Sequence, residues 1–353
     1  MPDTVLVTGA TGWIAQHCIL QLLEAGYDVR GTARGDGRAS GVAAILAPHL
    51  SAPASERLAQ SFSVTRADLT SDAGWDDAVS GCRFVLHVAS PFPSDKPKND
   101  DDLVIPAREG ALRVLRAASR SGVERVVLTS SIGAVLHCRE RHHVFTEEDW
   151  SDLSNPKAAA YEKSKTLAER SAWDFMSSLP SDSSMDLAVI CPGIVLGPLL
   201  TNEWSLSGEA VKKIIDRAVP AIPDLRIAPI DVRDVAWSHV SAMTAPGASG
   251  QRLICSIESH SVREMALILK EHLADRGFKI PTGRLPKFVL PVIALWDKQV
   301  RLILSDVGQP LEVDNTKIKR VLDLAPRDLR EMTVSMADSM IEYGVVSAKG
   351  RGR

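Results

Sequence analysis

A doubly wound α/β fold with a parallel sheet and a smaller C-terminal domain is what this chain predicts, and three observations carry it. Short β-branched runs alternate with longer helical patterns over roughly the first 195 residues. A glycine-rich turn, Gly9-Ala10-Thr11-Gly12-Trp13-Ile14-Ala15, leads from the first run into an amphipathic segment. After about Pro198 the alternation weakens, and helical segments are separated by Pro-containing turns.

The expected strands are Thr4 to Thr8, Asp28 to Ala33, Phe62 to Arg66, Phe84 to Val88, Arg125 to Thr129 and Asp186 to Ile190, the short β-branched runs of that alternation. Between them, Gln16 to Glu24, Trp75 to Val79, Ala107 to Ser119 and Tyr161 to Met176 carry helical periodicity. That is a Rossmann-type order. Gly35 to Ala59, rich in Gly, Ala, Ser and Pro, is expected to hold one helix flanked by flexible chain, and Pro93 to Asp102 reads as an exposed loop. Further helices are expected around Glu209 to Ala218, Val235 to Met243 and Val262 to Arg276. The domain boundary falls near residue 195, with 1–195 binding a dinucleotide, 196–353 forming a smaller substrate domain, and a segment about 228–246 returning to the first.

Composition serves for exclusion. The 353 residues are 45% hydrophobic, enough to bury a sizeable core, and 41 Lys plus Arg against 44 Asp plus Glu exclude a broad basic surface for nucleic acid. The five cysteines are scattered, without zinc or redox spacing, which fits a reducing compartment. No basic n-region and no bilayer-length apolar run is present, so a cytoplasmic protein without membrane contact is expected.

The glycine-rich turn has a physical task. Gly9 lets the chain turn sharply at the strand end, Gly12 lets backbone approach a pyrophosphate, and Ala15 keeps the helix close to the sheet. Free N–H groups at Thr11, Trp13 and Ile14, where the helix starts, then suit an anion. At the end of the second strand an NAD site would place a carboxylate, whereas this chain runs Val29-Arg30-Gly31-Thr32-Ala33-Arg34. Arg34 can pair with a 2′-phosphate, which favours NADPH/NADP+ over NADH, with Asp36 as the rival acid.

Tyr161 and Lys165 lie four apart and share a helix face. An adjacent ammonium favours phenolate, so Tyr161 is expected to titrate below an ordinary phenol and to exchange a proton with a carbonyl oxygen. Thr129-Ser130-Ser131 ends an apolar strand at the carboxyl edge of the expected sheet, where Ser131 can hydrogen-bond that oxygen and Ser130 is its structural rival. His142-His143, with His137 nearby, sit in a polar stretch without the spacing of a zinc site, and no metal is expected. Trp204, Phe92, Trp296 and Phe288 divide between a hydrophobic substrate pocket and ordinary core packing.

These residues resemble the extended short-chain dehydrogenase/reductase superfamily, and within it the dihydroflavonol-4-reductase-like and ketoreductase branch. The likeness covers nearly the whole chain. It runs from the glycine turn through Ala67-Asp68-Leu69, His87-Val88-Ala89-Ser90-Pro91, Thr129-Ser130-Ser131, Tyr161 to Glu169, Cys191-Pro192-Gly193 and Leu196-Gly197-Pro198 to Ile230-Asp231-Val232-Arg233-Asp234-Val235-Ala236. The resemblance implies Ser131, Tyr161 and Lys165 as the catalytic triad. It further implies Asp68 and Leu69 bordering the adenine, and Val88, Ala89 and Ser90 on the ribose and nicotinamide side beside Thr129. Lys165 would hold the nicotinamide ribose, with Pro192, Ile194 and Val195 walling the nicotinamide. It also leaves open a homodimer through the helices starting near Ala107 and Tyr161.

Two departures narrow the substrate. The family's usual Gly-Thr pair appears as Gly110-Ala111, and Lys157-Ala158-Ala159-Ala160 precedes Tyr161 where cinnamoyl-CoA reductases carry Asn-Trp-Tyr-Cys, which disfavours CoA thioesters. The loop Ile132 to Val144 does not carry over a flavonoid. The implied activity is NADPH-dependent reduction of a ketone or aldehyde to an alcohol, reversibly. A nucleotide-sugar epimerase or hydroxysteroid dehydrogenase/isomerase is the rival, and a non-enzymatic cofactor sensor is disfavoured by the intact triad.

Overall fold

A computed structural model describes residues 2–90, 99–136, 143–155, 158–294, 304 and 306–348. Phe92, His137, His142, Trp296, and the expected loop from Pro93 as far as residue 98 lie outside the described residues.

Strand β1 (Thr4–Val7) lies in the interior of the sheet, and its Val5, Leu6 and Val7 are fully buried. A central parallel strand is covered on both faces, so it reads as a continuous apolar run rather than an alternating one. Helix α1 (Trp13–Glu24) leads to β2 (Asp28–Ala33). The following stretch holds two helices, α2 (Asp36–Leu46) and α3 (Ala52–Ser61), and not one helix in flexible chain. Its second helix is started by Pro53 in the first turn and by Ser51, whose N–H and hydroxyl both donate to the Glu24 carboxylate at 2.6 and 2.7 Å.

Strand β3 (Phe62–Arg66), helix α4 (Trp75–Val79), strand β4 (Phe84–His87), helix α5 (Asp101–Arg120) and strand β5 (Arg125–Thr129) follow as expected, except that α5 begins a turn and a half early. Pro106 does not break α5, because Asp101 and Asp102 suit a helix start and the Asn99 and Asp102 side chains each accept from the other's backbone N–H. After the short β6 (Val144–Phe145), α6 (Ala160–Ser178) runs to β7 (Asp186–Pro192). Strand β8 (Ile194–Leu196), helix α7 (Leu206–Ile215), strands β9 (Arg226–Ile227) and β10 (Pro229–Asp231), helix α8 (Val232–Thr244), strands β11 (Arg252–Cys255) and β12 (His260–Ser261), and α9 (Val262–Leu273) complete the ordered middle of the chain. A capping box between Ser261 and Glu264 starts α9.

Seven strands form one parallel sheet in the order β11-β7-β5-β4-β1-β2-β3. On one face α1 and α8 pack over Val5, Val7, Leu86, Val127 and Ile190, while on the other α4, α5 and α6 cover Leu6, Val85, Val126 and Val189. The return of the later chain to this sheet extends beyond the expected segment about 228–246, since Arg252 to Cys255 form its edge strand, with Arg252 opposite Val189. Four residues are too short a run to show periodicity, and burial of Leu253, Ile254 and Cys255 is what makes them a strand.

A second core gathers Leu199, Val211, Ile214 and Ile222 with Met265 and Leu269 of α9 and Met332, Met336 and Met340 of the C-terminal helix Leu329–Glu342. Polar clasps join it to the sheet layer. Trp13 Nε1 donates to the Pro198 carbonyl at 2.8 Å, and Leu199 N donates to Ser339 Oγ at 2.8 Å. His17 Nε2 also meets that carbonyl at 3.0 Å; burial holds His17 down to about 4, so the neutral ring carries its proton on Nε2 and donates.

The bend from β7 into β8 depends on a close approach. A Cβ at Gly193 would fall 2.0 Å from the Ala228 carbonyl oxygen, while Gly193 N donates to Cys255 O at 3.0 Å. Gly193→Ala is therefore expected to cost about 1–3 kcal/mol through overpacking, read as a lower denaturant midpoint. An unchanged midpoint would mean that β8 and the chain before β10 are not in such contact.

Candidate active site

Gly9 ends β1 at φ +68, a left-handed conformation open to glycine, and a Cβ there would meet Ala89 Cβ at 3.0 Å. Ala10 N donates to Thr32 O at 2.8 Å, Gly9 N to Thr32 Oγ1 at 3.0 Å, and Gly12 N to Gly9 O at 2.8 Å, so the turn is sewn to the end of β2. Thr11 lies in this turn, Gly12 is the N-cap of α1, and no side chain caps the helix. The first N–H groups, from Trp13 and Ile14 onward, are left for an anion. Ala15 is buried against the sheet.

Arg34 follows β2 immediately, two residues beyond the Thr32 that anchors the turn, and is exposed. It makes no hydrogen bond or ion pair among the described residues, and its charge helps hold the Asp68 carboxyl below its usual value, after the larger effect of the Thr70 backbone N–H. Asp36 opens α2. Asp68 Oδ1 accepts from Thr70 N and Oγ1, both at 2.8 Å, just past β3. Leu69 lies against α5, where a Cβ on Gly110 would come within 2.9 Å of Leu69 Cβ. Beyond β4, Val88 and Ala89 are half-buried and Ser90 is exposed; Ala89 N donates to Thr8 Oγ1 at 2.9 Å.

Strand β5 ends at Thr129, and Ser131 turns into a short helical turn at Ile132–Ala134. Ser131 Oγ accepts from Gly133 N at 3.0 Å, and Ser131 is close enough to the Tyr161 phenol to lower its pKa. A Cβ on Gly133 would lie 3.3 Å from Ser131 Oγ and 3.5 Å from Tyr161 Cε1, so both side chains flank the same backbone position. Tyr161 is 38% exposed whereas Lys165 is buried, with Nζ donating to the Thr129 carbonyl at 3.4 Å. The three residues are thus brought together at the carboxyl ends of the strands. Pro192 ends the neighbouring β7 and is buried, and beyond it Ile194 is exposed and Val195 half-buried on β8.

The electrostatics differ from the expectation in one respect. Surrounding protein raises the Tyr161 phenol above its ordinary value, the Ser131 hydrogen bond pulls it down, and the Glu162 carboxylate pushes it up. The ammonium one turn away is not among the charges acting on the phenol, so the predicted depression is absent from the chain itself. Burial lowers Lys165 to about 8, and it lowers His87 to about 3 with help from the Lys165 charge.

Several supporting residues were not singled out from the sequence. Glu169 Oε2 accepts from Ser130 Oγ at 2.5 Å, which settles Ser130 in a structural role. Glu169 Oε1 is paired with Arg252 Nε at 2.5 Å, and both side chains are buried. His239, held by burial at about 4 and donating from Nδ1 to Val235 O, must accept at Nε2 from Thr129 Oγ1 at 2.6 Å. The spacing Tyr161, Lys165, Glu169 along one helix face was the available signal for Glu169; Arg252 and His239 are remote in sequence and had none.

Other candidates fall elsewhere. Phe288 is 80% exposed, outside any core, and Trp204 Nε1 donates to Glu209 at 2.8 Å with Lys212 over its ring. His143 bonds Asp149 at 2.9 Å, and among the described residues no group of three His, Cys, Asp or Glu could hold a metal. No helix among them is long and apolar enough to cross a membrane. A separate cleft of about 630 Å³ between α9 and residues 326–330 shares no residue with the site.

Residues 5–222 match the NAD dependent epimerase/dehydratase family. The chain is 34% identical over 275 residues to a cinnamoyl-CoA reductase of Medicago truncatula, spanning 76% of this chain and 80% of that one. It is 30% identical over 310 residues to dihydroflavonol 4-reductase of Gerbera hybrida, spanning 85% and 80%. Among solved structures, yeast methylglyoxal/isovaleraldehyde reductase complexed with NADPH matches with a TM-score of 0.78 at 28% identity, covering 97% of this chain and 99% of that one. The chain belongs to the NAD dependent epimerase/dehydratase family, among the extended short-chain dehydrogenases/reductases, where its relatives include dihydroflavonol and cinnamoyl-CoA reductases.

Proposed function

We propose that this protein is an NADPH-dependent carbonyl reductase, converting a ketone or aldehyde to an alcohol and running in reverse as an alcohol dehydrogenase. The observation that carries the reading is the convergence of Ser131, Tyr161 and Lys165 at the carboxyl end of the sheet, beside the glycine turn and the uncapped start of α1. The chain fits the cofactor, since the cradle at Gly9 and Gly12 would be filled by a side chain and Arg34 is left without a partner among the described residues. In this reading Gly9, Thr11, Gly12, Trp13 and Ile14 hold the pyrophosphate and Arg34 the 2′-phosphate. Asp68 and Leu69 border the adenine; Val88, Ala89, Ser90 and Thr129, with Lys165, hold the nicotinamide ribose side; Pro192, Ile194 and Val195 wall the ring. The lobe built on α7, α9 and the C-terminal helix closes over the carbonyl compound as a substrate domain.

When bound, the cofactor supplies hydride to the carbonyl carbon. The chain does the rest. Ser131 orients the carbonyl oxygen, Tyr161 gives it a proton, and the Lys165 ammonium favours the phenolate left behind. A phenol held above its usual value stays protonated through the neutral range, so it is stocked with the proton that reduction consumes. The reductase relatives support reduction over epimerisation, and a yeast relative was solved with NADPH. The four described cysteines are unpaired and buried, which supports a cytoplasmic setting.

Three outcomes test the reading. Tyr161→Phe should fold and bind NADPH yet lose about 10²–10⁴-fold in kcat, the usual worth of a positioned general acid; undiminished turnover would sink the assignment. Arg34→Ala should raise the KM for NADPH by about ten- to a hundredfold, as expected from losing a charge-assisted hydrogen bond, and leave that for NADH unchanged. Lys165 is charged below its pKa, so reduction should fall as pH rises through about 8, and Lys165→Arg, charged throughout, should lack that limb.

A further inference from the structure

Helix α6 carries Tyr161, Lys165 and Glu169 at successive four-residue steps, so one helix face runs from the exposed phenol to the buried ammonium and on to a buried carboxylate. Glu169 touches neither. It accepts from Ser130 Oγ at 2.5 Å and from Trp173 Nε1 at 3.3 Å, and it is gripped by Arg252, whose Nε and Nη2 reach its two oxygens at 2.5 and 3.4 Å. Arg252 is itself immobilised, donating to the Glu147 and Asp149 carbonyls at 2.6 and 2.9 Å and stacking 3.6 Å above Trp150. Between Glu169, Ser130 and Lys165 lies a cavity of about 20 Å³, so the carboxylate acts on the ammonium across a gap.

We propose that the buried Glu169–Arg252 pair is the positioning element of this site: through Ser130 the carboxylate sets the turn that aims Ser131, and its charge holds Lys165 in the ammonium form. The groups facing Lys165 leave Glu169 as the operative charge. From β4 comes His87, kept neutral by burial; from β7 comes Cys191, whose anion would also favour the ammonium but whose thiol is pushed well above its usual value. From β5 come the Thr129 carbonyl and Ser130, and α5 presents Ala107 and Ala111. On α6 itself lie the Tyr161 phenol and the Glu169 carboxylate. Burial lowers Lys165 to about 8, against which Cys191 and then Glu169 act; with the Cys191 thiol pushed well above its usual value, the Glu169 carboxylate is the attraction that remains, and Arg252 is not among the charges acting on Lys165.

The consequence for turnover rests on the carbonyl-reduction reading, so the test reads Lys165 directly as well. Carbon-13 lysine NMR, with the Lys165 signal assigned by Lys165→Arg, follows its titration in wild type, E169Q and the doubly neutral E169Q/R252Q, which leaves no unpaired buried charge if E169Q alone does not fold. The Lys165 midpoint is expected to move to lower pH by about one unit, a tenfold change in proton affinity, in E169Q and equally in the double variant. Ser130→Ala, which keeps both charges, should leave the midpoint in place and lower kcat about tenfold, with NADPH affinity within about twofold, because only the aim of Ser131 is lost. An unmoved midpoint in the folded double variant overturns the charge role, and undiminished kcat in Ser130→Ala overturns the aiming role. A shifted midpoint in a protein that reduces no carbonyl would instead overturn the proposed function while the inference stands.

Discussion

Burying an ammonium and a carboxylate on one helix face is the constraint to which much of the structure answers. Taking a charge out of water costs several kcal/mol per ion even after relaxation. Lys165 and Glu169 are both buried on α6, and each is accommodated by groups recruited from far along the chain. The Thr129 carbonyl meets the lysine, whereas Glu169 is met by Ser130, Trp173 and Arg252. Arg252 then needs its own acceptors, and the segment around Glu147–Asp149 folds back to give them. Glu147 in turn accepts from Ile254 N at 3.0 Å, on the same edge strand as Arg252. The buried charges therefore tie the edge strand β11 and the segment around Glu147–Asp149 to α6.

What the sequence could show was set by what is local. Strand boundaries at Asp28–Ala33, Phe62–Arg66 and Arg125–Thr129 were legible because each is a short run with β-branched residues set between stretches of helical or turn pattern. The glycine turn and the Tyr161–Lys165 spacing were legible because a backbone shape and a helix face are written in consecutive residues. Contacts across long separations were not. Arg252 meets Glu169 across 83 positions, and His239 meets Thr129 across 110, with nothing in either local pattern to distinguish them from a surface arginine or a core histidine. The two helices of 36–61 were hidden for a different reason: small residues lower the helical signal, and the Ser51–Glu24 bonds that help start the second helix are tertiary.

The two cores are coupled at the place where the cofactor site begins. Trp13, first residue of α1, sends its indole N–H to Pro198 and packs into the second core, so the helix with the uncapped N-terminus also carries the clasp between layers. On the far side, buried Asp234 of α8 is bound by the Arg327 side chain and backbone N–H, at the approach to the C-terminal helix. Movement of the second lobe would have to be taken up between these clasps, in the segment from Gly193 to Gly197 and in the chain between α8 and the C-terminal helix. Gly193 leaves no room for such a movement, since its backbone already lies against Ala228. The β8–β10 pair is accordingly a fixed floor under the site rather than a hinge.

The direction in which the chain's own electrostatics lean follows from the same packing. A site built only to lower a phenol would surround it with positive charge, but here crowding and Glu162 raise Tyr161 while Ser131 alone offsets them. Lys165 is meanwhile weakened as an ammonium by its burial. Both groups are poised to give up a proton less readily and more readily, respectively, than they do in water. Under neutral conditions the phenol is loaded and the lysine is near its midpoint, an arrangement in which a proton lost from Tyr161 can be matched by one held only loosely one turn away. Alcohol oxidation asks the opposite of Tyr161, an empty phenolate at the outset, and the protein environment opposes that state.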